Sequence, residues 1–239
     1  MLRESSIEFG ARLPFRQNDD RNFRFEFAEK DGGTEVTWSM DSSLPFFLFF
    51  MKRMMETFIG MDYTRGLAML KDYAENGEVP SKLEFPGPTS FAGSSYVGIN
   101  RACSMEEMPK FMGDDFDKLK EWLAGSGSEA SGKPFSIYHK WDPIKKLTQY
   151  TVGVPVASVP GDLPASFCSG EIPSCQVYDV KHTGHYEHLA NAWSAGYMHA
   201  RSKQFRQNKS IPPFETYETD PDEVSDRKDL VTVVHFPMK

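Results

Sequence analysis

The sequence has 239 residues, 39% of them hydrophobic and 26% charged, with a formal net charge of −7. This is the composition of a folded chain long enough for one large domain or two modest ones. The acidic balance argues against direct binding of nucleic acid, because phosphates are neutralised by basic surfaces. Three cysteines, an odd number, favour free thiols in a reducing compartment. The N-terminus has no signal-peptide core and no apolar run approaches the roughly 20 residues of a membrane span, so we expect a cytoplasmic protein without membrane contact.

The first domain, predicted at residues 1–79, has the pattern of three strands followed by a long helix. Alternating hydrophobic residues occur over 7–13, 23–27 and 36–40. The turn Asp31-Gly32-Gly33 between the second and third runs predicts a hairpin, because glycine tolerates the positive φ of such turns.

Helical spacing replaces the alternation from Leu44 to about Asn76, and Gly77 predicts the end of the helix. Residues 80–94 are rich in proline and glycine and are predicted to be a linker. A second domain is predicted over 95–239.

The second domain contains two similar halves, at about 95–160 and 172–239. The segment Pro134-Phe135-Ser136-Ile137-Tyr138 is echoed by Pro213-Phe214-Glu215-Thr216-Tyr217, and the strand at 150–156 is echoed at 231–238. Each half reads as strand, helix, strand, strand. This internal repeat predicts an α+β fold: a continuous antiparallel sheet with two helices on one face, related by a pseudo-two-fold axis.

The second domain resembles the GyrI-like (AraC-type effector-binding) family. The likeness rests on the turn and helix start from Val180 to Leu189, on Trp193 and Tyr197, on the Pro213-to-Tyr217 strand and on the closing strand ending at Pro237. It implies a cleft between the halves that binds amphipathic, often cationic molecules, with regulatory, sequestering or, in some members, hydrolytic roles. The family commonly carries a glutamate on the strand before the proline, where this sequence has Thr151 and Val233.

The hairpin from Gly32 to Met40 and the helix after Leu44 resemble the C-terminal portion of a START-like (SRPBCC, polyketide-cyclase-like) helix-grip domain. The earlier elements of such a domain are not in the sequence. Either the apolar face of the helix is covered by the second domain or by a partner chain, as in a homodimer, or the chain is an N-terminally truncated gene product or has a misassigned start, which is the interpretation we favour.

Aromatic residues at equivalent positions of the repeat are candidates for a ligand-binding lining, since flat rings offer large contact areas and attract cations. The alternative is that they fill the core. The candidates are Tyr138, Trp141, Tyr186, Trp193, Tyr217 and His235, with Thr151 and Val233 on the neighbouring strands.

Glu187 is the carboxylate predicted to reach the cleft, as a counter-charge or a general base. The alternative is a helix-start carboxylate that is stabilised by the helix dipole. Nearby, His182, His185 and His188 lack the spacing of a zinc site, so we predict neither metal nor cofactor.

The favoured interpretation is a non-enzymatic protein that binds or sequesters an amphipathic small molecule. One alternative is a hydrolase of strained or electrophilic molecules that uses Glu187 and a tyrosine. Another is a ligand-sensing partner of a separate transcription regulator, docked through the first domain. Enzymatic activity is left open by the sequence.

Overall fold

The computed structural model describes the backbone of residues 7–12 and 22–239 and the side chains of residues 23–239. The chain divides into two compact units, Met1–Val79 and Pro80–Lys239. Each unit is described by itself.

Unit one contains a three-stranded sheet followed by a 3₁₀ turn and one long helix. Its elements are β1 (Ile7–Arg12), β2 (Asn22–Lys30), β3 (Gly33–Pro45), the turn Phe46–Met51 and α1 (Lys52–Asn76). Strand β3 is central, parallel to β1 and antiparallel to β2. The three strands and the helix follow the order that the sequence predicts.

The turn chemistry of unit one confirms two expectations. Asp31 and Gly32 have φ values of 51° and 76°, which is the type I′ geometry favoured between two twisted strands. Gly77 has a φ of 79° and its N–H donates to the carbonyl of Tyr73, ending α1. The helix starts later than predicted, at Lys52, because β3 continues to Pro45 and the apolar run after it forms the 3₁₀ turn.

Stacked aromatic rings join α1 to the sheet. Trp38 of β3 lies between Tyr63 of α1, at a ring distance of 4.1 Å, and Phe25 of β2, at 5.0 Å. Gly66 permits this approach, since a Cβ there would meet the Trp38 ring at 2.8 Å. Much of the remaining apolar surface of unit one is exposed.

Unit two is built on an eight-stranded antiparallel sheet. The strands are β4 (Ser81–Phe91), β5 (Ser94–Ser104), β6 (Phe135–Asp142), β7 (Leu147–Pro155), β8 (Cys168–Ile172), β9 (Cys175–Gly184), β10 (Phe214–Tyr217) and β11 (Val231–Pro237). The helices are α2 (Met108–Ser126) and α3 (Ala190–Arg201), with 3₁₀ turns at Tyr186–His188 and Arg227–Asp229. The strand order is β4-β9-β11-β10-β6-β7-β5-β8.

This order is symmetric about the junction of β10 with β6. One half contributes β5, α2, β6 and β7, and the other contributes β9, α3, β10 and β11, each as strand, helix, strand, strand. The predicted α+β fold with a large antiparallel sheet is thereby confirmed. That the halves arose by sequence duplication stays a prediction.

Strand β4 lies within residues 80–94, where the sequence indicated a linker. It pairs with β9 along the edge of the sheet, and the register shifts between Glu84 and Gly87. The Pro86-Gly87-Pro88 segment lies at this irregularity, and Gly87 takes a positive φ of 79°. The proline and glycine residues therefore bend a strand at this place.

Both helices of unit two pack on the same face of the sheet. Leu119 of α2 is buried among residues of β5 and β7, and Ala192 of α3 is buried against Val180 and Phe236. Within the described residues, no helix is long and apolar enough to span a membrane.

Two helical glycines give a matched test of this packing. A Cβ on Gly196 of α3 would lie 2.1 Å from the Phe236 ring, whereas one on Gly113 of α2 would meet nothing within 4 Å. We expect Gly196→Ala to destabilise unit two by about 1–3 kcal/mol through overpacking, despite the better helix propensity of alanine. We expect Gly113→Ala to stabilise it by up to about 1 kcal/mol. Urea unfolding followed by circular dichroism measures both, and a stable Gly196→Ala variant would contradict the packing described.

Candidate functional site

A row of paired residues crosses the helix-covered face of the sheet and has Glu215 near its centre. Across the junction, Glu215 of β10 is the register partner of Ser136 on β6 and of Val234 on β11. The row continues to Val180 on one side and Val152 on the other. An acidic residue thus occupies the position where the two halves meet, beside Ser136 and in a row whose other members are valines.

The Glu215 side chain is hydrogen-bonded although only 1% of the residue is exposed. The Tyr217 and Tyr138 hydroxyls donate to its Oε2 atom at 2.8 and 3.1 Å. The indole N–H of Trp193 donates to Oε1. We call these four residues the Glu215 cluster. Three of its members were predicted as lining residues, and the carboxylate that joins them was not.

Burial raises the pKa of Glu215, and the hydrogen bonds from Trp193, Tyr217 and Tyr138 act in the opposite direction. Burial, followed by the nearby charge of Glu215, also raises the pKa of Tyr138 well above its ordinary value, and the same two causes act on Tyr217. Both hydroxyls therefore stay protonated at neutral pH and available as donors. Within residues 23–239, no lysine or arginine forms an ion pair with Glu215.

Further aromatic rings surround the cluster. Phe116 of α2 and Tyr186 of the 3₁₀ turn contact the Tyr217 ring edge-on, at ring distances of 5.4 and 5.9 Å. Trp141 lies 6.1 Å from the Tyr138 ring and is exposed, as is Tyr186. Tyr186 is 39% exposed, and the burial of the rest of its side chain, followed by the charge of Glu215, raises its pKa to about 12. The structure thus brings five predicted residues together, namely Tyr138, Trp141, Tyr186, Trp193 and Tyr217.

Three other predicted residues, Thr151, Val233 and His235, point to the opposite face of the sheet. Val233 and His235 flank Val234 along β11, and side chains alternate between faces. Thr151 is the register partner of Ile137, whose neighbour Ser136 lies in the Glu215 row. The expectation that these residues line one cleft with the tyrosines was wrong, because strand alternation separates them.

The opposite face carries its own polar chain. His235 Nδ1 lies 2.7 Å from Asp179 Oδ1, and His235 Nε2 lies 2.9 Å from the Thr216 hydroxyl. A recess of about 480 Å³ opens beside Thr216 and His235. Thr151 contacts His139 and Asn100 on this face, at 2.7 and 2.9 Å.

Glu187 is exposed at the start of the 3₁₀ turn Tyr186–His188 and makes no hydrogen bond with the Glu215 cluster. Glu215 places a carboxylate on the helix-covered face of the sheet, the face away from Thr151 and Val233. The signal for it was present, since Glu215 and Tyr217 are two residues apart and therefore share a face.

The three histidines do not form a metal site, and no group of three or more ligating side chains occurs among the described residues. His182 is fully buried, with Nε2 lying 3.1 Å from the Ser81 hydroxyl. Burial, followed by the proximity of His188, lowers the pKa of His182 to about 4. The folded state therefore holds this ring neutral.

The lowered pKa of His182 makes a prediction about acid stability. The unfolded chain binds a proton at the ordinary value of about 6.5, so protonation favours unfolding below that pH. We expect stability to be fully present above about pH 6.5 and to fall towards pH 4, by at most about 1.4 kcal/mol per pH unit. Urea unfolding at several pH values measures the slope. His182→Asn should flatten it and His185→Asn should not, whereas an unchanged slope in His182→Asn would contradict the assignment.

A profile of the family described as "GyrI-like small molecule binding domain" matches residues 91–239. The chain belongs to the GyrI-like family. The match begins after unit one, so the START-like interpretation of residues 1–79 stays a prediction. A search among curated proteins finds no match.

Solved structures share the fold of this GyrI-like chain at low sequence identity. The EcmrR–DNA complex, determined by cryo-electron microscopy, is 14% identical over 81% of this chain and 72% of that chain, with a TM-score of 0.57. The EcmrR C-terminal domain is 14% identical over 66% and 98%, with a TM-score of 0.56. SAV2435 bound to tetraphenylphosphonium is 14% identical over 65% and 94%, with a TM-score of 0.51.

Proposed function

We propose that unit two binds an amphipathic organic molecule carrying a positive charge, at the Glu215 cluster. The observation that carries this proposal is a buried carboxylate that forms no ion pair with a lysine or arginine among the described residues. His235, on the opposite face of the sheet, is a basic residue whose charge lowers the pKa of Glu215. A buried charge is costly unless it is paired, and three hydrogen bonds offset only part of that cost. A ligand cation supplies the missing counter-charge.

The rings around Glu215 suit the apolar part of such a ligand. Tyrosine and tryptophan faces attract cations, and the large rings provide apolar contact area. The edge-on contacts of Trp193 with Tyr138, at 5.2 Å, and of Tyr186 with Tyr217 leave the cluster filled by its own side chains. A ligand therefore has to displace one of them, and Trp193 is the candidate because its N–H occupies Oε1.

Binding of a lipophilic cation to charge variants tests the proposal. We expect Glu215→Gln to weaken binding of tetraphenylphosphonium by about tenfold or more, since the variant removes a buried ion pair while retaining hydrogen-bond capacity. Binding of triphenylphosphine oxide, a neutral molecule of similar shape, should change by less than about threefold. Equilibrium dialysis measures both affinities.

Glu187→Gln is the matched control, because it removes one exposed carboxylate from the same unit without touching the cluster. Circular dichroism establishes that each variant is folded. Equal losses for the cation and the neutral molecule would indicate a packing effect, and a loss confined to Glu187→Gln would contradict the role of Glu215.

Hydrolysis is a second candidate because of the contact between a carboxylate with a raised pKa and two tyrosine hydroxyls. Burial raises the pKa of Glu215, which makes this carboxylate a better general base, and a protonated tyrosine is a candidate acid. In this proposal Glu215 takes the role first considered for Glu187, which makes no contact with the cluster.

Measuring both the protein-bound amount and the total amount of each compound distinguishes turnover from binding. The protein is incubated with lipophilic cations, neutral polycyclic compounds and strained-ring electrophiles, and mass spectrometry quantifies each compound. We expect cations to be retained unchanged, because a counter-charge and aromatic rings are sufficient for binding. Consumption with addition of water, abolished by Glu215→Gln, would instead establish a hydrolase.

A ligand-sensing role beside a separate transcription regulator stays a proposal. The solved EcmrR structure is a complex with DNA, and its likeness to this chain concerns the fold alone. The absence of direct nucleic-acid binding also stays a prediction from the net charge of −7.

A further inference from the structure

Strand β2 of unit one is an edge strand with an apolar row along it. It pairs with β3 on one side, and no other strand in the described part of the chain pairs with it. Phe23, Phe25 and Phe27 lie on one face and are 59%, 46% and 68% exposed. Long apolar edges are sites of strand pairing with another chain, because unpaired N–H and C=O groups lie beside uncovered side chains.

The hairpin determines which backbone groups face the open edge. In a two-residue I′ hairpin the flanking pair, here Lys30 with Gly33, exchanges hydrogen bonds, and such pairs alternate along the strands. Arg24 and Glu26 accordingly direct their N–H and C=O groups towards β3. The backbone groups of Phe23, Phe25 and Phe27 point outwards and are available to a partner strand.

The charged residues of β2 favour one register when the β2 strands of two copies pair with each other. Two copies related by a two-fold axis at Phe25 place Phe25 opposite Phe25, Phe23 opposite Phe27, and Arg24 opposite Glu26 on both sides. An axis at Arg24 or at Glu26 would instead place like charges directly opposite each other, which is unfavourable. An axis at Phe27 would oppose Arg24 to Lys30. The Arg24 and Glu26 side chains form a 3.7 Å ion pair with each other within β2 and are 61% and 62% exposed. Pairing centred on Phe25 exchanges this exposed contact within each copy for two contacts between the copies.

We propose that two copies of this chain associate by antiparallel pairing of their β2 strands, centred on Phe25. The pairing joins two three-stranded sheets into one of six strands and places the phenylalanine rows of both copies side by side. A second copy is the occupant because β2 is complementary to itself in hydrogen bonding, in its apolar row and in charge. The two-fold arrangement is closed, since each copy uses its β2 edge once.

Exchanging the charges of Arg24 and Glu26 tests the proposed pairing. Analytical ultracentrifugation of the full chain over a range of concentrations should give a monomer–dimer equilibrium. Arg24→Glu and Glu26→Arg should each weaken it by about tenfold, because each variant creates two like-charge contacts across the axis. The double variant R24E/E26R should restore the dimer to within about threefold, because it exchanges the charges and keeps their complementarity.

Cysteine cross-linking checks the register. Phe25→Cys should form a disulfide with its own copy, because position 25 faces itself across the axis. Phe23→Cys and Phe27→Cys should each fail alone and cross-link when mixed. Mass spectrometry of the linked peptides distinguishes these bonds from any made by Cys103, Cys168 or Cys175. A wild-type chain that is monomeric at every concentration, an unrestored double variant, or self-linkage of Phe27→Cys would each overturn the proposal.

Discussion

The carboxylate of Glu215 is buried where the two halves of the large sheet meet, and the surrounding residues satisfy it. Removing a carboxylate from water is unfavourable unless hydrogen bonds or an opposite charge replace the solvent. Here the donors come from β6, β10 and α3, so the same interaction ties both halves and one helix to the centre of the sheet. Glu215 has three hydrogen bonds and no ion pair with a lysine or arginine among residues 23–239, and this combination is the basis of the proposed cation site.

Strand alternation separates this site from the polar chain of Asp179, His235 and Thr216. Adjacent residues of β10 and β11 supply the two faces, so Glu215 and Thr216 are neighbours in sequence but lie on opposite sides of the sheet. The helices cover the first face and leave the second with an open recess. A cation that binds at the Glu215 cluster has to displace one of the aromatic side chains that fill it. The recess on the opposite face presents a polar surface that a ligand reaches without such movement.

Local patterns predicted much of the fold. The Asp31-Gly32 turn, the alternating strands and the end of α1 at Gly77 depend on residues close in sequence, and they occur where expected. Strand β8 was missed because its Cys168–Ile172 segment is short and mixed in polarity, and its pairing with β5 joins residues distant in sequence. The Glu215 cluster was not predicted for the same reason. Tyr138 and Glu215 share a face of the sheet because β6 pairs with β10, and this register joins residues distant in sequence. The family resemblance predicts a carboxylate on the strand that ends at the closing proline, whereas Glu215 lies on β10, the strand before it.

The central claim is that Glu215 is the counter-charge for a bound organic cation. A crystal structure with tetraphenylarsonium tests it most directly, because the anomalous signal of arsenic locates the charge without reference to the rest of the ligand. We predict the arsenic within about 6 Å of the Glu215 carboxylate, with the Trp193 indole displaced from Oε1. An arsenic position in the recess beside His235, or an unliganded Glu215 cluster at saturating cation, would contradict the account.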